Sequence, residues 1–544
     1  MNIISVHYHA SPSRNINFNL IRFNQLVSLF ISIAISLFCF TVALKGQTLL
    51  PGDYAGVSTD QSASSVSRSA EFRFQLNELK PRSNESALRS NVFKSRSNEL
   101  ITQNPKPNVI FILSDDQGVS DLNCYGAADL QTPNLDKLAA NGVRFSQFYA
   151  ASPVCSPSRA ALLTGRYPQR AGLASNASSN KGIAGMPGEQ ETLGELFKSG
   201  GYKTAHIGKW HVGYSKETMP NQQGFDHSFG FMGGCIDNFS HFFYWDGPNR
   251  HDLWRNGKEV YEPGKYFPDL MAEEAGRFME QNKQQPFFIY FALNTPHYPL
   301  QGDKKWLDHY KELPSPRRQY AAFVSSMDER VGKLLTKLDE LGLTENTIVI
   351  FQSDHGYSEE VRTFGGGGSA KGLRGSKFSV FEGGIKVPAI ISWPKRIPKN
   401  SVRTQFAANI DWYPTLAAYC GLQLSNRKID GKDLSVLIGF AGQVSQKSVE
   451  HQAVNSNLAS PHQIFFWQSG GSKDDPQWAV REGDWKLIHA PLQSDKKEPD
   501  ASGFMLINLK TDSSERINLS AKNPEVVFRL KGKYEEWVKN VAQQ

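Results

Sequence analysis

After Asn108 the chain runs Val109-Ile110-Phe111-Ile112-Leu113, without a polar interruption, and stops at Ser114-Asp115-Asp116. A short continuous apolar run bounded by polar residues predicts a strand buried on both faces of a sheet. Similar runs at residues 286–293, 347–352 and 387–393 predict further strands. Amphipathic helices lie between them. The clearest sets Tyr320, Phe323, Val324, Met327, Val331, Leu334, Leu335, Leu338 and Leu341 at three- and four-residue spacing, with Gly342 as a stop. Buried strands alternating with helices predict an α/β layer architecture, whose ligands gather at the carboxyl ends of the strands. Asp115-Asp116 and Asp354-His355 both fall there.

After Gly421 the pattern weakens. A polar loop over residues 445–458 precedes short strands at 478–480 and 485–489, and a helix is predicted over 524–541. This end reads as a smaller C-terminal subdomain with a sheet and a packed helix. No internal repeat is visible.

Residues 26–44 are apolar and uncharged, preceded by Arg14 and Arg22 and followed by Lys45. They read as an export signal. An uncleaved signal anchor is the alternative, because the run is close to the lower limit of a membrane span of about 17–25 residues. No Ala-x-Ala cleavage site is evident, and Phe38 before Cys39 argues against a lipoprotein anchor. Residues 47–105, rich in Ser, Asn and Arg and without apolar periodicity, predict a linker. The expected division is therefore 1–46 signal, 47–105 linker, 106–443 catalytic domain and 444–544 C-terminal subdomain.

Composition narrows the function. With 544 residues, 39% hydrophobic and 21% charged, the chain is an ordinary globular protein able to bury a large core. Its net charge of +7 is modest, and no arginine-rich stripe suggests a nucleic-acid partner. Five cysteines are too few for a disulfide scaffold. If Cys155 stays unpaired and Cys39 belongs to the apolar run, then Cys124, Cys235 and Cys420 allow at most one disulfide.

Cys155 opens the run Cys-Ser-Pro-Ser-Arg-Ala-Ala-Leu-Leu-Thr-Gly, ending at Gly165. Pro157 and Ser158 favour a turn that opens a helix, which places Cys155 at the positive end of the helix dipole with Arg159 one turn along. Anionic groups bind well at such a place. Cys155 is the best candidate nucleophile in the chain.

This run resembles the sulfatase family, whose members carry Cys-x-Pro-Ser-Arg followed by Leu-Thr-Gly and convert the cysteine to formylglycine. The resemblance extends over residues 107–519 and includes Arg481-Glu482-Gly483-Asp484-Trp485-Lys486-Leu487. It implies an alkaline phosphatase-like sandwich with a large, mostly parallel or mixed central sheet, and a C-terminal antiparallel sheet with its helix. It also implies hydrolysis of sulfate monoesters, aryl or carbohydrate, and maturation by a formylglycine-generating enzyme. A thiol attacking sulfur would leave an adduct with no easy release of sulfate. Hydrated formylglycine offers two hydroxyls on one carbon, one to attack sulfur and one whose deprotonation expels sulfate.

Two adjacent carboxylates at the end of a buried strand need positive charge between them, and Asp354 ends a second such strand. The resemblance implies one calcium ion among Asp115, Asp116, Asp354 and His355, with residue 155 completing the site. His355 is a softer ligand than calcium usually takes, and hydrogen bonding to the sulfate is its alternative role. Gly208-Lys209-Trp210-His211 reads as a strand, whose alternation would aim Lys209 and His211 into one cleft. In the family the lysine contacts formylglycine and the histidine takes the proton of the second hydroxyl. His297, in Asn294-Thr295-Pro296-His297, matches the histidine that protonates the departing alcohol, and Lys377 the lysine that binds sulfate oxygens. Arg159, Lys209, Lys377 and the metal would stabilise charge developing in the transition state.

Gly365 to Gly368 does not match a phosphate-loop pattern and reads as a flexible active-site loop. The aromatic residues 239–254 read first as a local core cluster, with sugar stacking as the alternative. Competing functions are a phosphonate monoester or phosphodiester hydrolase of the same superfamily, and a non-catalytic binding protein on the same fold. The latter would be expected to have lost Cys155, Arg159 or a metal carboxylate.

Overall fold

The predicted run around Val109 forms β1 (Asn108–Ser114), buried along its whole length. In the computed structural model it belongs to a ten-stranded sheet. The structure describes residues 106–245, 247–439, 458–471, 475–492 and 503–542, all within one compact unit spanning residues 98–544. The predicted export segment and linker, and nearly all of the predicted 445–458 loop, lie outside the described residues.

The other strands of the sheet are β2 (Val143–Phe145), β3 (Lys203–Lys209), β4 (His227–Phe231), β5 (Trp254–Arg255), β6 (Lys258–Glu259), β7 (Phe287–Ala292), β8 (Thr347–Ser353), β9 (Ala389–Ser392) and β10 (Ser401–Arg403). Their spatial order is β10-β2-β9-β8-β1-β7-β3-β4-β5-β6. Strands β8, β1, β7, β3 and β4 are parallel, whereas β9 pairs antiparallel with β8 and β5 with β4. The sheet is thus mixed, with a parallel centre.

Alternate side chains of β1 feed two cores, as the pleat requires. Val109, Phe111 and Leu113 join a cluster with Leu162 of α2 (Cys155–Thr164), Leu196 of α3 (Leu193–Ser199) and Trp412 of α6 (Trp412–Cys420). Ile110 and Ile112 face the other way, onto Leu135 of α1 (Pro133–Ala140), Met271 of α4 (Phe267–Asn282) and Val324 and Val331 of α5 (Arg317–Glu340). Helices cover both faces, which explains why the strands lack polar alternation.

A second, four-stranded antiparallel sheet holds β11 (Ile464–Gly471), β12 (Pro476–Glu482), β13 (Trp485–His489) and β14 (Phe504–Asn508). Helix α7 (Pro524–Ala542) packs on it, Trp478 stacking on Tyr534 at 4.0 Å and Phe466 on Trp537 at 5.2 Å. Trp467 Nε1 donates to the Ala150 carbonyl at 2.8 Å, and Arg481 donates to Tyr149 at 2.7 Å. Buried Lys486 reaches Glu382 at 2.9 Å and Glu515 at 2.8 Å. Cys124, Cys155, Cys235 and Cys420 are all free thiols.

Candidate active site

Strands β1 and β8 run in register, Ser114 opposite Ser353, so Asp115 and Asp354 leave the sheet side by side. The pairing continues one step further, because the Asp354 amide donates to the Ser114 carbonyl at 3.0 Å. Asp116 then turns into the left-handed region at φ 60°, and its amide donates to Asp354 Oδ1 at 3.2 Å.

Cys155 is the first residue of α2, as its Pro-Ser-Arg context predicts, and the preceding Val154 supplies no side-chain cap. The helix start is fixed from outside. Ser158 Oγ donates to the Asp354 carbonyl at 2.5 Å, and Asn409 Nδ2 donates to the Ser158 carbonyl at 3.0 Å. Arg159 is fully buried. It donates to Asp354 Oδ2 from Nε and Nη2, at 3.2 and 3.1 Å, and lies 3.4 Å from Asp115.

Around the Cys155 Sγ stand Lys209 Nζ at 3.4 Å, His355 Nε2 at 3.2 Å and Asp115 Oδ1 at 3.8 Å. Lys209 also pairs with Asp115 at 2.7 Å. Lys377 Nζ lies 2.9 Å from Asp116 Oδ2, 3.2 Å from Glu360 and 3.3 Å from His297 Nε2. His211 is buried next to Cys155, whose side chain offsets part of the burial that lowers its imidazole. All the expected site residues therefore converge on one buried cluster.

One expectation is corrected in its cause. Strand β3 ends at Lys209, and His211 lies beyond it with φ 55°. Trp210 is buried in the core, and the chain turns at His211. That turn, rather than strand alternation, brings the imidazole back to the thiol.

Charge and burial compete throughout. Burial alone would lift the Asp115 carboxyl, but Lys209, His297 and Arg159 hold it well below the usual range. For Asp116 desolvation outweighs Lys377 and His355, and the carboxyl rises to about 7; Asp354 likewise rises to about 6. Burial disfavours the imidazolium of His355, yet Asp354 and Cys155 push it up to about 9. Burial would raise the Cys155 thiol, whereas Lys209 and Lys377 bring it well below its ordinary value. His297 falls to about 3 through burial and the Lys377 charge.

The residues fit a divalent cation. Asp116 Oδ1 is buried and accepts no hydrogen bond. Ligand atoms of Asp115, Cys155, Asp354 and His355 lie within 4.8 Å of one another, as do those of Asp115, Asp116, Cys155 and His297. That spread suits ligands at roughly 2.3–2.6 Å around one ion. The second grouping brings in His297, which the sequence reading kept for the alcohol.

Sequence reasoning missed Glu360, buried against Lys377, and Asn409, which pins the helix start. Each lies in a segment without periodicity, and no local pattern marked them. Gly367 and Gly368 have a packing reason: an added Cβ would meet the Tyr320 side chain at 2.7 Å and the Tyr357 side chain at 2.3 Å.

A doubly covered mixed sheet with a nucleophile candidate held among lysines and histidines at its strand ends defines a hydrolase of anionic esters on an alkaline phosphatase-like fold. The Sulfatase family model matches residues 107–422, and a model described as N-sulphoglucosamine sulphohydrolase, C-terminal, matches residues 375–540. Dog (Canis lupus familiaris) N-acetylgalactosamine-6-sulfatase is 36% identical over 445 residues, covering 77% of this chain and 83% of its own. Human (Homo sapiens) arylsulfatase A is 32% identical, with 78% and 86% covered. The solved structure of Ps i-CgsB in complex with k-i-k-neocarrahexaose superposes with a TM-score of 0.68 at 31% identity, over 79% of this chain and 92% of that one. The chain belongs to the sulfatase family and is a sulfuric ester hydrolase.

Proposed function

We propose that this enzyme removes sulfate from carbohydrate sulfate monoesters, using formylglycine made from Cys155 and a calcium ion held by Asp115, Asp116, Asp354 and His355. The observation that carries the reading is the convergence of Lys209 and His355 on one thiol at the first turn of α2, with Lys377 and His297 meeting on the adjacent Asp116. The carbohydrate class is supported by the names of the relatives, one an N-acetylgalactosamine-6-sulfatase and one solved with a neocarrahexaose.

Residue 155 as hydrated formylglycine supplies two hydroxyls on one carbon, one to attack sulfur and one to release sulfate. The cation supplies positive charge beside the sulfate oxygens. The chain does the rest. Lys209 contacts residue 155, Lys377 binds sulfate oxygens and Arg159 holds the Asp354 carboxylate in place. His355 presents Nε2 to the cluster because its Nδ1–H donates to the Gly356 carbonyl at 2.9 Å. His297 Nδ1–H donates to the Tyr298 carbonyl at 2.8 Å, leaving Nε2 to accept from Lys377. Lys377 hands a proton to Nε2, which passes it on to the departing alcohol oxygen as negative charge develops there. Burial keeps His211 neutral below its ordinary value, the state needed to accept a proton from the second hydroxyl.

The same reading takes residues 26–44 as an export signal and a formylglycine-generating enzyme as the maturation partner. The test is to co-express the full chain with such an enzyme and weigh the peptide containing residue 155. 4-Nitrophenyl sulfate and 6-sulfated N-acetylgalactosamine are then assayed. The expected result is an aldehyde-bearing peptide, turnover of both esters, and loss of turnover in Cys155→Ala. Wild-type turnover in that variant would overturn the reading.

A further inference from the structure

Tyr298 follows His297, the histidine assigned above to the departing alcohol. Its ring is 5% exposed, packs with Cys235 and Phe243, and meets Trp245 at 5.5 Å. Trp245 meets Tyr244 at 6.0 Å, and Tyr244 stacks with Phe242 at 5.9 Å. These aromatics step from the buried histidine outward to Tyr244, which is 44% exposed. A core cluster would bury its outer ring, whereas sugars need an exposed one to stack on.

The loop carrying Glu360, Val361, Arg362 and Phe364 reaches the same Tyr298 ring. Val361 and Phe364 are 87% and 72% exposed, although large and apolar. The Arg362 guanidinium lies 4.3 Å over the Tyr298 ring, its Nε donating to Glu360 Oε1 at 2.9 Å. Its side chain stays 42% exposed. Glu360 has a second cation in Lys377, at 3.2 Å, and the two together hold its carboxyl down at about 2. Arg362 is therefore a fixed, partly exposed guanidinium beside these aromatics, a geometry suited to an oxyanion.

We propose, on the carbohydrate sulfatase reading above, that these aromatics and Arg362 form a subsite for the sugar next to the one losing sulfate. Trp245 and Tyr244 stack on that sugar, and Arg362 pairs with an oxyanion it carries, a sulfate or a uronate carboxylate. The preferred substrate is then an anionic oligosaccharide rather than a monosaccharide.

The probes are 6-sulfated N-acetylgalactosamine, its disaccharide with glucuronate, and a disaccharide of neutral sugars with two sulfates. Each competes against 4-nitrophenyl sulfate on the wild-type enzyme and on Arg362→Gln and Trp245→Ala. Calorimetric binding to Cys155→Ala is measured alongside. The wild type should bind at least one disaccharide more tightly than the monosaccharide, and Arg362→Gln should shrink that ratio by about tenfold, the worth of one charge-assisted hydrogen bond. Loss confined to the glucuronate arm assigns a carboxylate, and loss confined to the disulfated arm assigns a second sulfate. Because the readout is a ratio, a general weakening through Glu360 and Lys377 cancels. No disaccharide advantage, or equal weakening of all three probes in Arg362→Gln, would overturn the subsite. Absent nitrophenyl sulfate turnover would instead count against the sulfatase chemistry, while the calorimetry still decides the subsite.

Discussion

His211 and His297 flank the same residue but differ in their partners. His297 holds Nε2 3.3 Å from Lys377 and 3.6 Å from Asp116, while His211 Nδ1 is buried without a hydrogen-bond partner. If His297 serves the departing alcohol, His297→Ala should cost most on 6-sulfated N-acetylgalactosamine, whose alcohol needs a proton. It should cost least on 4-nitrophenyl sulfate, whose leaving group does not. A loss of about 10²–10⁴-fold on the sugar ester is the expected scale. His211→Ala should slow both substrates alike. Measuring kcat for both variants on both esters checks this, and equal losses for His297→Ala would remove the division of labour. These histidines were legible in the sequence because each sits in a short segment with its own signature. Glu360 and Arg362 were not, since their importance comes from Lys377 and Tyr298, which approach only in the folded chain.

At the scale of elements, the carboxylate site follows from two buried strands ending in register. The apolar runs before Asp115 and before Asp354 made both strands legible, and their adjacency is a matter of sheet order that no local pattern carries. The antiparallel direction of β9 was equally hidden, because a buried strand reads the same either way. His211 shows a limit of periodicity: its cleft position comes from a left-handed turn after β3, not from the strand. The strand-end carboxylates give a metal prediction. Calcium at about 100 times its Kd should stabilise the protein by about 2.7 kcal/mol relative to the chelated form. Thermal melts in chelator, with calcium then restored, check this. Melting temperatures indifferent to calcium, with unchanged nitrophenyl sulfate turnover, would sink it.

Across the whole molecule, the second sheet is tied to the first by buried charge. Lys486 of β13 lies between Glu382, just after the Lys377 loop, and Glu515, with all three side chains 3% exposed or less. The Trp485–His489 strand itself was legible as a short apolar alternation. A lysine inside it reads as solvent-facing, and its burial is fixed only by carboxylates more than a hundred residues away on one side. Burial would raise Glu382, but Lys486 and Lys386 hold it down at about 2, whereas Glu515 rises to about 7 because desolvation prevails. Lys486→Met leaves two buried carboxylates without their shared cation, at an expected cost of about 3–5 kcal/mol near neutral pH. The sign of its pH dependence follows from linkage. Without the lysine both folded-state carboxyls titrate higher than in the wild type, so the stability the lysine contributes grows as pH rises through their range. The deficit of Lys486→Met against the wild type should therefore be larger at pH 8 than at pH 5. Melting both proteins at the two values tests this, and a deficit independent of pH would mean that the lysine matters for packing alone.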